Sequence, residues 1–166
     1  MRLSFVPALF VAALAAAPCH AAPSYDGRTP MLEAGTLWMD QEFSPAEQAL
    51  MIDSVPKARA RVLAFYGSLK SAMPDIVFCK SVACRVYFAG QETVSFAMAP
   101  TTRPRPGGQY IYPRPTIVIT YAWPEEGAAE KVQGTLTHEM SHTEMRARLG
   151  GMPIPPWFNE GVATQL

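Results

Sequence analysis

Apolar and polar positions change their spacing several times along the chain, and each change marks an element. Phe5 to Ala17 is an uncharged apolar run. From 23 to 43 the pattern lapses, with Pro23, Gly27, Pro30 and Gly35 scattered through it, so these residues are expected to form an extended leader that nucleates nothing. Ser44-Pro45-Ala46-Glu47 is a capping box with proline at the first helical position, in which the serine hydroxyl and the glutamate carboxylate satisfy otherwise orphaned amides. Asp53-Ser54-Val55-Pro56 is a second start signal. Val62, Leu63, Phe65, Tyr66 and Leu69 then give a helical apolar face ending near Gly67 to Ser71, as one kinked helix or two short ones.

Strand-like spacing follows. Ile76 to Phe88 contains two β-prone runs around Lys80-Ser81, which predicts a hairpin, and Val94 to Met98 predicts another strand. Pro100 to Pro115 carries five prolines and two adjacent glycines and is expected to be a loop. Its Arg103, Arg105 and Arg114 are read as solvated rather than as substrate contacts. Thr116 to Ala122 is a β-branched run bounded by Pro115 and Pro124. A long helix is predicted from about Gly127 to Leu149, stopped by Gly150-Gly151 and the prolines at 153, 155 and 156, and a last helix from Trp157. The fold class expected is α+β, a small mostly antiparallel sheet packed on the long helix, with an N-terminal helix and a clamped hairpin.

The start of the chain changes the picture of where the protein works. Met1-Arg2, the apolar run and Pro18-Cys19-His20-Ala21-Ala22 together read as a secretory signal over 1–22, cleaved near Ala21 or Ala22. The run is shorter than the ~20 residues a membrane span needs. Pro18 before Cys19 is unlike a lipoprotein signal. A secreted or periplasmic protein without stable membrane insertion after cleavage is therefore expected. Removing 1–22 takes away one of the 14 basic groups, Arg2, and none of the 14 acidic ones, so the remainder is near neutral and has no basic run to attract nucleic acid. Cys79 and Cys84 remain as an even pair, read as a disulfide clamping the hairpin; a thiol metal site shares the spacing, but a structural zinc needs four ligands and no further Cys exists.

Candidate chemistry concentrates in the long helix. His138-Glu139-Met140-Ser141-His142 is H-E-x-x-H, with the histidines about 40° apart around a helix axis and Glu139 about 60° beyond His142. Two imidazoles one turn apart can take adjacent positions on a tetrahedral zinc, while the neighbouring carboxylate reaches a water without ligating the metal. A catalytic zinc needs a third protein ligand. Glu160, in Asn159-Glu160-Gly161, follows His142 after 17 intervening residues that include a forced reversal at the Gly/Pro corner. Glu144 points away from Glu139, Ser141 is read as a packing residue, and His20 lies in the signal.

Thr137 to His142 together with Trp157-Phe158-Asn159-Glu160-Gly161-Val162-Ala163 resembles the gluzincin metallopeptidases, and within them the short exported peptidases described as peptidase MA-like, over about 116 to 166. The resemblance implies a zincin-type active-site helix in a peptidase domain spanning 44–166, one zinc ion on His138, His142 and Glu160, and Glu139 as general base. It also implies a strand at Thr116 to Tyr121 lining the cleft, and a peptide or protein substrate. Larger gluzincins resemble one another in supplying an oxyanion-stabilising Tyr or His from beyond the second helix, but here six residues follow Glu160, as in a C-terminally truncated domain. Tyr110, Tyr112 and Tyr121 lie upstream and could substitute in principle, but a lone tyrosine is more often a packing residue, and each is read as one. Three readings result: an active exported zinc peptidase, a zinc-binding but inactive relative serving in binding or assembly, and a disulfide-stabilised structural domain with a chance motif.

Overall fold

A computed structural model of the chain describes residues 29–30, 35–40, 42–89, 95–105, 108–112, 114–121 and 127–166. The signal expected over 1–22 lies outside them. The elements are β1 (Thr29–Pro30), β2 (Thr36–Met39), α1 (Pro45–Tyr66), β3 (Asp75–Cys79), α2 (Val82–Ala89), β4 (Phe96–Met98), β5 (Thr101–Arg105), β6 (Gly108–Tyr112), β7 (Thr116–Thr120), α3 (Ala128–Arg148) and α4 (Pro156–Ala163). Among the described residues no helix is long and apolar enough to cross a membrane.

The chain is α+β, as expected, but its sheet is not mostly antiparallel. Five strands run in the order β1-β2-β3-β7-β4, in which β2, β3 and β7 are parallel and only the edges β1 and β4 pair antiparallel. Helix α1 returns the chain from the end of β2 to the start of β3, the long crossover that a parallel neighbour requires. The inner strands are covered on both faces. Ile76 and Phe78 of β3 and Ile117 and Ile119 of β7 pack with Val55, Val62, Leu136 and Met140 of α1 and α3, while Val77, Cys79 and Val118 pack on the other side with Cys84 and Phe88 of α2. Each fully buried side chain such as Phe78, Ile117 or Leu136 contributes about 1.5–3 kcal/mol over an exposed one.

Two further expectations change. The segment 23–43, expected as a leader, contributes β2, whose Leu37 and Met39 are core residues between β1 and β3. At Gly35 a Cβ would come within 2.6 Å of the Pro74 carbonyl oxygen, so the close approach of the two chains there requires glycine. The stretch 100–115, expected as a loop, contains a two-stranded ribbon, β5 with β6, in register from Thr101↔Tyr112 to Arg105↔Gly108. Pro104 is tolerated because a ribbon strand has a free edge. Arg114, expected to be solvated, bonds Asp75 at 2.6 Å and Thr36 at 3.0 Å, tying the starts of β2 and β3 together.

The Cys79–Cys84 disulfide is present, with Cα atoms 5.3 Å apart. It does not clamp a hairpin, because Val82–Ala89 is a helix. The Ser81 hydroxyl accepts the Cys84 amide at 3.0 Å, capping that helix, and the buried Cys84 and Phe88 fall one turn apart. Asp40 completes the corner by accepting the amides of Ser81 at 2.7 Å and Lys80 at 3.3 Å. Burial opposes its charge, but the Ser81 hydroxyl and the amides of Ser81, Glu42 and Lys80 outweigh that effect and hold its pKa below the ordinary 3.8.

The first helix follows its sequence signals. Ser44 and Glu47 form the reciprocal capping box, Pro56 is accommodated within one continuous 22-residue helix, and Gly67 closes it at φ 72°. Helices α1 and α3 pack side by side, and a fully buried carboxylate locks their ends. Glu144 accepts the amides of Lys70 and Ser71 and the Ser71 hydroxyl at 2.8–3.0 Å and pairs with Arg148 at 2.7 Å.

Two stability predictions follow from these carboxylates. A group with a depressed folded-state pKa stabilises above its unfolded value and loses that contribution as pH falls through the folded one. Asp40→Asn should therefore cost about 1–2 kcal/mol at pH 7, and its unfolding curve in denaturant should converge on that of wild type as pH drops below 3.8. Glu144→Ala, which leaves Arg148 and the part-buried amides of Lys70 and Ser71 without their acceptor, should cost about 1–3 kcal/mol in the same assay.

Candidate metal centre

The site is built on α3, whose rotation is fixed by its apolar stripe. Val132, Leu136 and Met140 are buried against the sheet and α1, which leaves His138 and His142 on the flank of the helix toward α4. The Gly150-Gly151 corner, with φ of 60° and 81°, reverses the chain, and α4 begins at Pro156 after an extended Pro-rich link. Glu160 thereby returns to the histidines 22 residues on from the first of them.

Three of the four predicted site residues share one point. His138 Nε2 lies 3.1 Å from His142 Nε2 and 3.2 Å from Glu160 Oε2, and His142 Nε2 lies 3.5 Å from Glu160 Oε1. A tetrahedral ion with bonds of ~2.0–2.1 Å separates its ligand atoms by roughly 3.3–3.4 Å. The observed separations bracket that value, so the donor set fits a single small cation. Their side chains are graded in exposure, 11% for His142, 30% for His138 and 60% for Glu160, which leaves the point open on the Glu160 side.

Electrostatics favour neutral imidazole at His142. Burial is the largest cause and lowers its pKa, with the His138 and Arg146 charges in the same direction, while Asn159 and Glu160 oppose. Asn159 gains a role that its place in the motif does not reveal. Its Oδ1 and His142 Nδ1 are both buried and have no hydrogen bond of ordinary geometry among the described residues, yet the Asn159 side chain is close enough to favour an N–H on that imidazole. An N–H at Nδ1 leaves the Nε2 lone pair bare toward the shared point, the tautomer a metal ligand needs.

Glu139 stands apart from the three. It is 5% exposed and accepts a hydrogen bond from the Ala97 amide on edge strand β4. Burial first, and then the charge of Glu160, push its pKa up to about 7. A carboxylate near neutrality beside a polar opening is suited to accept a proton and give it back. The β4 contact was invisible in the sequence, because no local pattern joins Ala97 to Glu139.

The remaining candidates have structural roles. Ser141 is buried and shares a 2.9 Å hydrogen bond with the Tyr66 hydroxyl between α3 and α1. Tyr121 is buried edge-on against Phe43, with ring centroids 5.3 Å apart, in the core rather than over the site. The side chains of Tyr110, Tyr112, Arg103 and Arg105 lie outside the described residues.

No family model matches the chain, and neither the curated proteins nor the solved structures contain a match. The two motifs are therefore weighed on their geometry.

The Asn159 arrangement is testable without turnover. Asn159→Leu should keep the fold and weaken zinc binding about 10–100-fold in competition with a chromogenic chelator, and unchanged affinity would remove Asn159 from the site.

Proposed function

We propose that this chain is an exported zinc-dependent peptidase of gluzincin type that hydrolyses peptide bonds with Glu139 as general base. The observation that carries the reading is the convergence of His138, His142 and Glu160 at separations of 3.1–3.5 Å from two helices. Two neutral nitrogens and one carboxylate, with a fourth direction open, are the donor set of a hydrolytic zinc rather than of a closed structural site. The signal-like segment and a disulfide suited to an oxidising compartment support export.

When bound, zinc supplies Lewis acidity, making water nucleophilic near neutral pH and withdrawing charge from a peptide carbonyl. The chain's own groups do the rest. His138, His142 and Glu160 orient the ion toward the opening. Glu139 takes the proton of the attacking water on its carboxylate and delivers it to the leaving amine nitrogen. Strand β4, at the sheet edge beside Glu139, offers backbone groups along which an extended peptide can pair.

One observation favours the second reading, a zinc-binding module without turnover: Glu139 is only 5% exposed, a confined position for a base that must meet substrate.

Metal analysis and a peptide-library digest separate the two. Wild type should bind one zinc per chain and cleave. Glu139→Gln should retain the metal and lose about 10²–10⁴-fold in rate. His138→Ala, His142→Ala and Glu160→Ala should lose the metal itself. A zinc-loaded, fully active Glu139→Gln protein would refute the assigned roles, and a zinc-loaded wild type that cleaves nothing favours the binding module.

A further inference from the structure

The stripe that carries the histidines does not end at His142. Arg146 follows at the same four-residue spacing, one turn or about 5.4–6 Å farther along α3. There an open cleft of about 280 Å³ lies between α3 and the chain leaving β4. Thr143, Arg146 and Ala147 form its helical side, Ala99 and Pro100 the opposite wall, and Lys70 stands at its end. That wall continues from β4, which packs against α3. The cleft thus lies along the same helix that carries both histidines. Its volume, at the low end for ligand clefts of ~300–1,000 Å³, suits one or two amino-acid residues rather than a long chain.

Two cations line this cleft, and neither has an acidic partner among the described residues. Lys57, Lys80, Arg114 and Arg148 by contrast each pair with a carboxylate. The acidic group beside Arg146 on the helical wall, Glu144, is fully buried and already engaged by the Lys70 and Ser71 amides, the Ser71 hydroxyl and Arg148. The Thr143 hydroxyl is spent on the Met140 carbonyl at 2.8 Å, so the two cations dominate what the cleft offers a ligand.

We propose, resting on the peptidase reading above, that Arg146 with Lys70 binds a carboxylate of the peptide substrate within a residue or two of the scissile bond. The planar guanidinium matches a carboxylate through two parallel N–H donors, and the ammonium adds a second point charge. The carboxylate comes from the substrate's C-terminus or from an Asp or Glu side chain. The site therefore selects peptides that are anionic just beside the cleaved bond.

The test measures binding rather than turnover, so that it does not depend on the catalytic reading. Fluorescent peptides in three matched forms, with a free C-terminus, with a C-terminal amide, and amidated with a glutamate replacing a glutamine near the end, are titrated against the full chain. Titrations use Glu139→Gln protein loaded with zinc and again after chelation, with and without Arg146→Gln and Lys70→Gln. The expected result is that a carboxylate-bearing peptide binds the Glu139→Gln protein about tenfold tighter than its neutral amide, with or without zinc. Arg146→Gln should abolish the preference and Lys70→Gln should reduce it, while affinity for the amide stays unchanged. Whether the free terminus or the glutamate form gains identifies the source of the carboxylate. Equal binding of charged and neutral peptides, or a preference that survives Arg146→Gln, overturns the proposal. Failure of the protein to bind zinc overturns the peptidase reading instead and leaves the chelated arm able to decide this one.

Discussion

The rotation of α3 about its own axis is the constraint on which the rest of the site depends. Val132, Leu136 and Met140 are held in the core by the sheet and α1, and Glu144 is tied to the segment that follows α1 by three groups, the Lys70 and Ser71 amides and the Ser71 hydroxyl. With that face fixed, helical geometry leaves no freedom in where His138, His142 and Arg146 emerge or in which edge of the sheet Glu139 meets. A turn of the helix by one residue would move each side chain by 100° and carry both imidazoles away from α4. The carboxylate network on Glu144 therefore acts at a distance from the His138–His142–Glu160 cluster, by preventing that rotation.

The second element is positioned by chain mechanics rather than by packing. Helix α4 has eight residues and buries only Ala163 fully. Trp157 and Phe158 remain exposed. What places Glu160 is the corner at Gly150-Gly151 and the proline link, which together restrict where the helix can start. The link is short and stiff, so little conformational entropy remains to be lost when Glu160 joins the histidines. Asn159, one residue earlier, then falls beside His142 by the same placement.

Legibility in the sequence followed the range of the interactions. The capping box at Ser44, the left-handed stop at Gly67, the extent of α3 and the H-E-x-x-H stripe are decided within one or two helical turns, and each stands where the residues predict it. Strand pairing is decided elsewhere. The runs Asp75–Cys79 and Thr116–Thr120 lack alternation because both their faces are covered, a mark of inner parallel strands that was read simply as β-propensity. Val82–Ala89 shows how propensity misleads. Val, Tyr and Phe favour strands, but the Ser81 cap and the 84/88 spacing of buried residues select a helix. In the site, the three residues joined by motif spacing were legible, whereas the contacts of Glu139 with Ala97 and of His142 with Asn159 arise between elements and leave no local trace.

The arrangement also carries an energetic argument for a cation. Two ring nitrogens 3.1 Å apart and a carboxylate within 3.2–3.5 Å of both crowd their lone pairs around one point. Glu160 and the buried Glu139 add mutual repulsion. Folding must bear this cost, which core packing and the Glu144 network can offset. A divalent ion held by the three donors would satisfy these lone pairs together and attract both carboxylates. The unfavourable electrostatics of the folded chain would then become free energy of metal binding, with the core that holds α3 in place keeping the donors together.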